Sequence, residues 1–196
     1  GEAALIADIE PVAVVHVASP VLAGVPKDPD DVIRPAREGT LRVLGAAANA
    51  GVERVVMTSS VAAVIYGHPR DGKKTYDEDD WSILTDDVAP YERSKTLAER
   101  AAWEFVASLP EERRLELVPL QPGLILGPVL DKDFSVSGEV VRKLLSRELP
   151  GCPDLGWAVV DVRDVADAHV AAMTAPEAAG RRFVLAIGHA GMIDVA

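Results

Sequence analysis

Short, nearly unbroken apolar runs alternate along the chain with longer stretches of helical period. VAVVHVA (12–18) is a β-branched run with the continuous apolar character of a doubly buried strand, and ERVVMTSS (53–60), LELVPLQP (115–122), WAVVDVRD (157–164) and FVLAIG (183–188) are read as the strands that follow. The segments 32–50, 91–108, 136–147 and 165–174 carry the helical period, and Gly51 is placed to stop the first of them. Residues 68–89 are polar, with Pro69, Gly72 and many aspartates, and predict a long surface loop. Strands alternating with helices imply an α/β fold, a doubly wound parallel sheet of Rossmann-like type. Residues 1–128 are expected to form a partial dinucleotide-binding and catalytic region. Residues 129–196 are expected to form part of a substrate region, with chain returning to the main sheet.

Composition narrows the function classes. At 196 residues with 48% hydrophobic and 26% charged positions, the chain suits one globular domain with a real core. A net charge of -11 opposes nucleic-acid phosphates, so no nucleic-acid partner is expected. The single cysteine, Cys152, leaves no disulfide framework, and the four histidines are scattered without metal-ligand spacing, so no metal is expected. No apolar run is long enough to cross a membrane and no signal-peptide pattern stands at the start, so no membrane partner and a cytoplasmic location are expected.

The candidate chemistry lies at the start of the helix at 91–108. Tyr91 and Lys95 are four residues apart and project from one helical face. A carbonyl accepting hydride needs a proton for its developing alkoxide, and a tyrosine can supply one. An ammonium nearby is expected to lower the phenol's pKa from its ordinary value near 10. Ser59 and Ser60, at the carboxyl end of the second predicted strand, can hold the substrate oxygen, because ligands of such sheets sit beyond the strands' carboxyl ends. Each signal alone has a plainer reading. A Tyr–Lys pair at this spacing is commonly a solvated helix face, and a Ser-Ser at a strand end is commonly a turn or cap. Their order on successive strand–helix units favours the chemical reading.

The blocks VVHVASP (14–20), ERVVMTSSVAAV (53–64), YDEDDWS (76–82), YERSKTLAERAAW (91–103), QPGLILGP (121–128) and VDVRDVADAHVAAM (160–173) resemble, in order and wording, the extended short-chain dehydrogenase/reductases. Within that superfamily, which includes the NAD-dependent epimerases and dehydratases, Asp77, Glu78, Trp81 and Ser82 favour the branch of dihydroflavonol, cinnamoyl-CoA and ketone/aldehyde reductases. The resemblance implies that Tyr91 is the general acid, that Lys95 tunes it and binds the nicotinamide ribose, and that Ser60 orients the substrate, with Ser59 as fallback. It further implies cofactor contacts from Ala18, Ser19, Thr58, Ser59, Pro122, Gly123 and Leu124. NADP is the implied cofactor, with NAD as the alternative, and the implied partner is a small-molecule carbonyl compound. A monomer or homodimer is expected. Asp161 and Asp164 are expected to cap a helix or anchor a loop. His16 and His169 are expected to be structural, and the acidic run at 77–80 a solvated loop.

One departure stands out. The glycine-rich turn GxxGxxG that holds the pyrophosphate in this family is absent, and only about a dozen residues precede VAVVHVA. The chain is therefore expected to be part of a longer protein, to expose apolar sheet edges, and by itself to bind dinucleotide poorly. Two rivals to the reductase reading are a sugar-nucleotide epimerase or dehydratase, which shares the Tyr–Lys pair, and a non-catalytic binding module on the same scaffold.

Overall fold

A computed structural model describes residues 11–21, 24, 26–69, 71–72, 75–130, 136–148 and 151–195, together with 6, 8 and 9. Four strands, β1 (Ala13–His16), β2 (Arg54–Thr58), β3 (Glu116–Pro122) and the later Phe183–Leu185, form one sheet in that order, all parallel. Between β1 and β2 runs α1 (Asp30–Asn49), and between β2 and β3 runs α2 (Pro90–Ser108). Helix α1 ends where Gly51 takes φ 71°, a left-handed conformation that glycine adopts without a Cβ penalty. Pro90 opens α2 at its first turn, where a missing N–H costs nothing.

Alternate residues of the central strands face opposite helical layers. Val55, Met57 and Leu117 pack against Ala36, Leu44 and Ala47 of α1 and Ala98 and Ala102 of α2. Val56, Val118 and Leu120 face the other way, toward Ala172 of α4 (Val162–Thr174). Val55, Val56 and Val118 are each 0% exposed, so both faces of the sheet are covered, and each such side chain contributes about 1.5–3 kcal/mol. The doubly wound α/β expectation holds. Arg54, at the start of β2, is buried and donates to the carbonyls of Ala172 and Ala175 at 2.8 and 2.7 Å, closing the carboxyl end of α4.

The single-sheet arrangement needs a correction. After β3 the chain turns at Gly123 into a second, three-stranded sheet: β4 (Leu124–Leu126), β5 (Gly156–Asp161) and β7 (Gly188–Gly191), with α3 (Val136–Leu145) between β4 and β5. β4 and β5 are parallel, and β5 and β7 antiparallel. The run 157–164 is therefore a strand only to Asp161. There the carboxylate accepts from the Arg163 backbone N–H at 2.8 Å and caps α4, while Asp164 lies in that helix's first turn. The run 183–188 likewise divides, between β6 (Phe183–Leu185) in the main sheet and the start of β7. Gly123 is where the two sheets meet. A Cβ built there would stand 2.2 Å from the carbonyl oxygen of Ala158, so the approach of β5 admits only glycine. Among the described residues β1 is an edge strand, with Val15 37% exposed and the flanking Val12 and Val17 69% and 62% exposed, as expected of an apolar sheet edge.

Candidate active site

The carboxyl ends of β1, β2 and β3 and the start of α2 enclose a cavity of about 820 Å³. Parallel strands direct their following loops to this end of the sheet, which is where such folds gather ligands. Ser19, Thr58, Ser59, Ser60, Tyr91, Lys95, Pro122, Gly123 and Leu124 all line it, so nine of the ten positions singled out from the sequence converge on one space. Ala18 is the exception. It is exposed and absent from the lining, while its neighbours Val17 and Ser19 belong to it, the alternation of an extended chain.

At the centre, Tyr91 and Ser60 line the cavity together, and the serine side chain acts to lower the phenol's pKa. The Ser60 hydroxyl oxygen accepts from the Ala62 N–H at 3.1 Å, so a single 3₁₀ turn at Val61–Ala63 fixes its position. Lys95 is 6% exposed, and its Nζ lies 5.9 Å from the centre of the Tyr91 ring. Burial pulls the Lys95 pKa down to about 8, against the opposing field of Glu99. The phenol behaves differently from the sequence expectation. Burial raises the Tyr91 pKa, the Ser60 side chain partly offsets this, and the Glu92 carboxylate raises it further. Desolvation therefore dominates, and the phenol keeps its proton at neutral pH. That is the state a proton donor requires.

His169 and His16 both make contacts within the fold. His169 accepts from or donates to Thr58 Oγ1 at 2.7 Å through Nε2, and its Nδ1 lies 2.7 Å from the Val165 carbonyl. The carbonyl can only accept, so Nδ1 carries the proton, and Nε2 accepts from the threonine. His16 is buried, with Nε2 3.5 Å from Thr40 Oγ1. Among the described residues no group of three histidine, cysteine or carboxylate side chains is arranged to hold a metal. No described helix is long and apolar enough to cross a membrane.

Sequence reasoning missed the polar groups behind the site. Glu99, one turn beyond Lys95, is 0% exposed and is bonded by Ser59, Gln121 and Arg182. The spacing Tyr91–Lys95–Glu99 was a usable signal, since all three lie on one helical face. Tyr66 and Glu92, on the cavity wall, had no such signal.

A family model described as the NAD dependent epimerase/dehydratase family matches residues 3–188. The chain is 42% identical over 171 residues to cinnamoyl-CoA reductase 1 of Arabidopsis thaliana, covering 86% of this chain and 47% of that protein. It is 36% identical over 199 residues to the NADPH-dependent methylglyoxal reductase of Saccharomyces cerevisiae, covering 93% and 58%. Among solved structures, the yeast methylglyoxal/isovaleraldehyde reductase complexed with NADPH superimposes with a TM-score of 0.85 at 31% identity, over 96% of this chain and 62% of that one. The chain thus spans about half the length of the curated relatives it matches.

Proposed function

Since the chain belongs to the NAD dependent epimerase/dehydratase family, we propose that it carries the catalytic residues of an NADPH-dependent reductase of ketones or aldehydes, with Tyr91 as proton donor. The observation that carries this reading is the convergence of Tyr91, Ser60 and the buried Lys95 on one cavity at the carboxyl ends of parallel strands. The names of the relatives, a cinnamoyl-CoA reductase and an NADPH-dependent methylglyoxal reductase, support reduction over epimerisation.

The donor set fits the nicotinamide-ribose end of NADPH. Lys95 offers ammonium donors to ribose hydroxyls, Ser19 and Thr58 lie at the cavity edge, and the side-chain-free Gly123 gives a close wall with Pro122 and Leu124. When bound, the dinucleotide supplies the hydride. Ser60 holds the carbonyl oxygen, and Tyr91 gives its proton to that oxygen as charge develops there. Lys95 then stabilises the tyrosinate left behind, because a cation at short range favours the ionised phenol. General-acid help of this kind contributes about 10²–10⁴ in rate, and orientation in the cavity contributes more.

The test is NADPH consumption by the whole gene product, with methylglyoxal and a panel of aldehydes and ketones as probes. Oxidation of NADPH that depends on the carbonyl compound supports the reading. No oxidation with any of them, together with interconversion of UDP-sugars without added reductant, replaces it with the epimerase reading.

A further inference from the structure

The polar groups behind the cavity form a continuous brace. Glu99 Oε2 accepts from the Ser59 hydroxyl, and its Oε1 accepts from Gln121 Nε2 at 2.9 Å and Arg182 Nε at 2.7 Å. Arg182 in turn donates through Nη1 to the carbonyls of Glu78 and Asp80 at 2.7 and 2.6 Å, and its guanidinium lies 3.7 Å from the centre of the Trp81 ring. The next residue, Ser82, is 0% exposed. It donates through its backbone N–H to the Ala63 carbonyl at 2.9 Å and through its hydroxyl to the Ala62 carbonyl at 2.8 Å. Its hydroxyl oxygen also accepts from the Tyr66 N–H at 2.9 Å. The path therefore leaves Ser59, passes through α2, the start of β6 and the 78–82 segment, and returns to the 61–66 turn that follows Ser60.

Burying a carboxylate and a guanidinium is costly unless each is paired, and pairing of this kind is poor evidence of a contribution to stability. What the pair does achieve is placement. Both ends of its network fall on the residues that flank Ser60, and its charge stands one helical turn from Lys95. We propose that Glu99, held by Arg182, is a positioning residue of the reductase site, fixing the 58–60 strand end and facing Lys95 with a negative charge. On this account the 77–82 segment is a brace of the site. The acidic run does expose Asp77, Glu78 and Asp79, but its backbone, the Trp81 ring, Ser82 and the Glu78 carboxylate, which accepts from the Val184 N–H, tie the segment to the fold. The inference rests on the reductase reading above.

The ionisable groups bearing on Lys95 are Tyr91 and Glu99 on its own helix. Ser59 and Ser60 face it uncharged from the end of β2, Tyr66 and Glu92 stand on the cavity wall, and Arg182 reaches it only through Glu99. Glu99 opposes the effect of burial on the lysine. Removing its charge while keeping its shape should therefore let Lys95 lose its proton at lower pH.

Two substitutions in the whole gene product separate charge from geometry. Glu99→Gln removes the charge; Glu99→Asp keeps it and withdraws it by one methylene. In both, kcat for carbonyl reduction should fall by about 10–100-fold, with the KM for NADPH changed by less than about threefold. In the Gln variant only, the alkaline limb of the kcat profile should move about one unit toward lower pH. A kcat within about twofold of wild type in both variants, or an unmoved alkaline limb in the Gln variant, overturns the proposal. Failure of both variants to fold also overturns it, because the carboxylate is then a structural group. An inactive wild type removes the reductase reading and this proposal together, whereas an active wild type with unimpaired variants removes this proposal alone.

Discussion

The Lys95 ammonium stands 5.9 Å from the centre of the Tyr91 ring, and Ser60 lines the same cavity. Of the two, the serine is the group that favours the ionised phenol, while burial and the Glu92 carboxylate oppose it. This division suits a donor that must stay protonated until the substrate oxygen gains charge, and must then tolerate its own negative charge.

Burying Lys95 costs stability, and the cost depends on pH. Its pKa falls from an ordinary 10.5 to about 8 in the folded protein. Below pH 8 both states are protonated, and the buried charge opposes folding in full. Between about pH 8 and 10.5 the unfolded state binds more proton than the folded one, so stability rises with pH until the penalty is gone. Lys95→Met should therefore be more stable than wild type at pH 7, by on the order of 3 kcal/mol, and the gain should shrink toward zero by about pH 10.5. Denaturant unfolding at the two pH values measures this. A Met variant less stable at pH 7 would show that the lysine's partners outweigh its burial.

Gly123 is fixed by the backbone of another strand. Because its absent Cβ would meet the Ala158 carbonyl oxygen at 2.2 Å, Gly123→Ala should destabilise the protein by about 1–3 kcal/mol. Trimming the Ala158 side chain in a Gly123→Ala/Ala158→Gly double variant should not restore it, since the obstacle is a carbonyl. Thermal unfolding of both variants reads the outcome, and full rescue by the second change would place the clash on the side chain instead.

Asp161 joins β5 to α4. Its carboxylate accepts from the Arg163 N–H and from the Arg163 guanidinium, which hold its pKa down to about 2. A depressed carboxylate contributes stability above its ordinary pKa near 3.8 and loses it as pH falls through about 2. Asp161→Ala should lower Tm by about 2–4 °C at pH 7, and Asp161→Asn, which keeps an acceptor for the backbone N–H, by less. As pH falls through about 2 the difference between Ala and wild type should shrink toward that between Ala and Asn.

The main sheet was legible because its strands are continuous apolar runs covered on both faces, as Val55–Val56 and Leu117–Val118 illustrate. Tyr91, Lys95 and Ser60 were legible because helix periodicity and the position of a strand end place them without knowledge of the rest. The second sheet was not. β4 has three residues, and its partner β5 begins 30 residues beyond its end, so neither hydrophobic period nor turn chemistry marks the pairing. Arg182 was invisible for a related reason: it meets Glu99 across 83 residues of sequence. The direction of the Tyr91 pKa was missed because it depends on how far the phenol is buried, a property of packing that no local pattern carries.

The most direct test of the account replaces one oxygen. In the whole gene product, Tyr91→Phe should lower carbonyl-dependent NADPH oxidation by at least about 10²-fold, while fluorescence titration shows NADPH still bound with unchanged affinity. Turnover at the wild-type rate in the Phe variant would contradict the assignment of the proton donor and, with it, the chemistry assigned to this cavity.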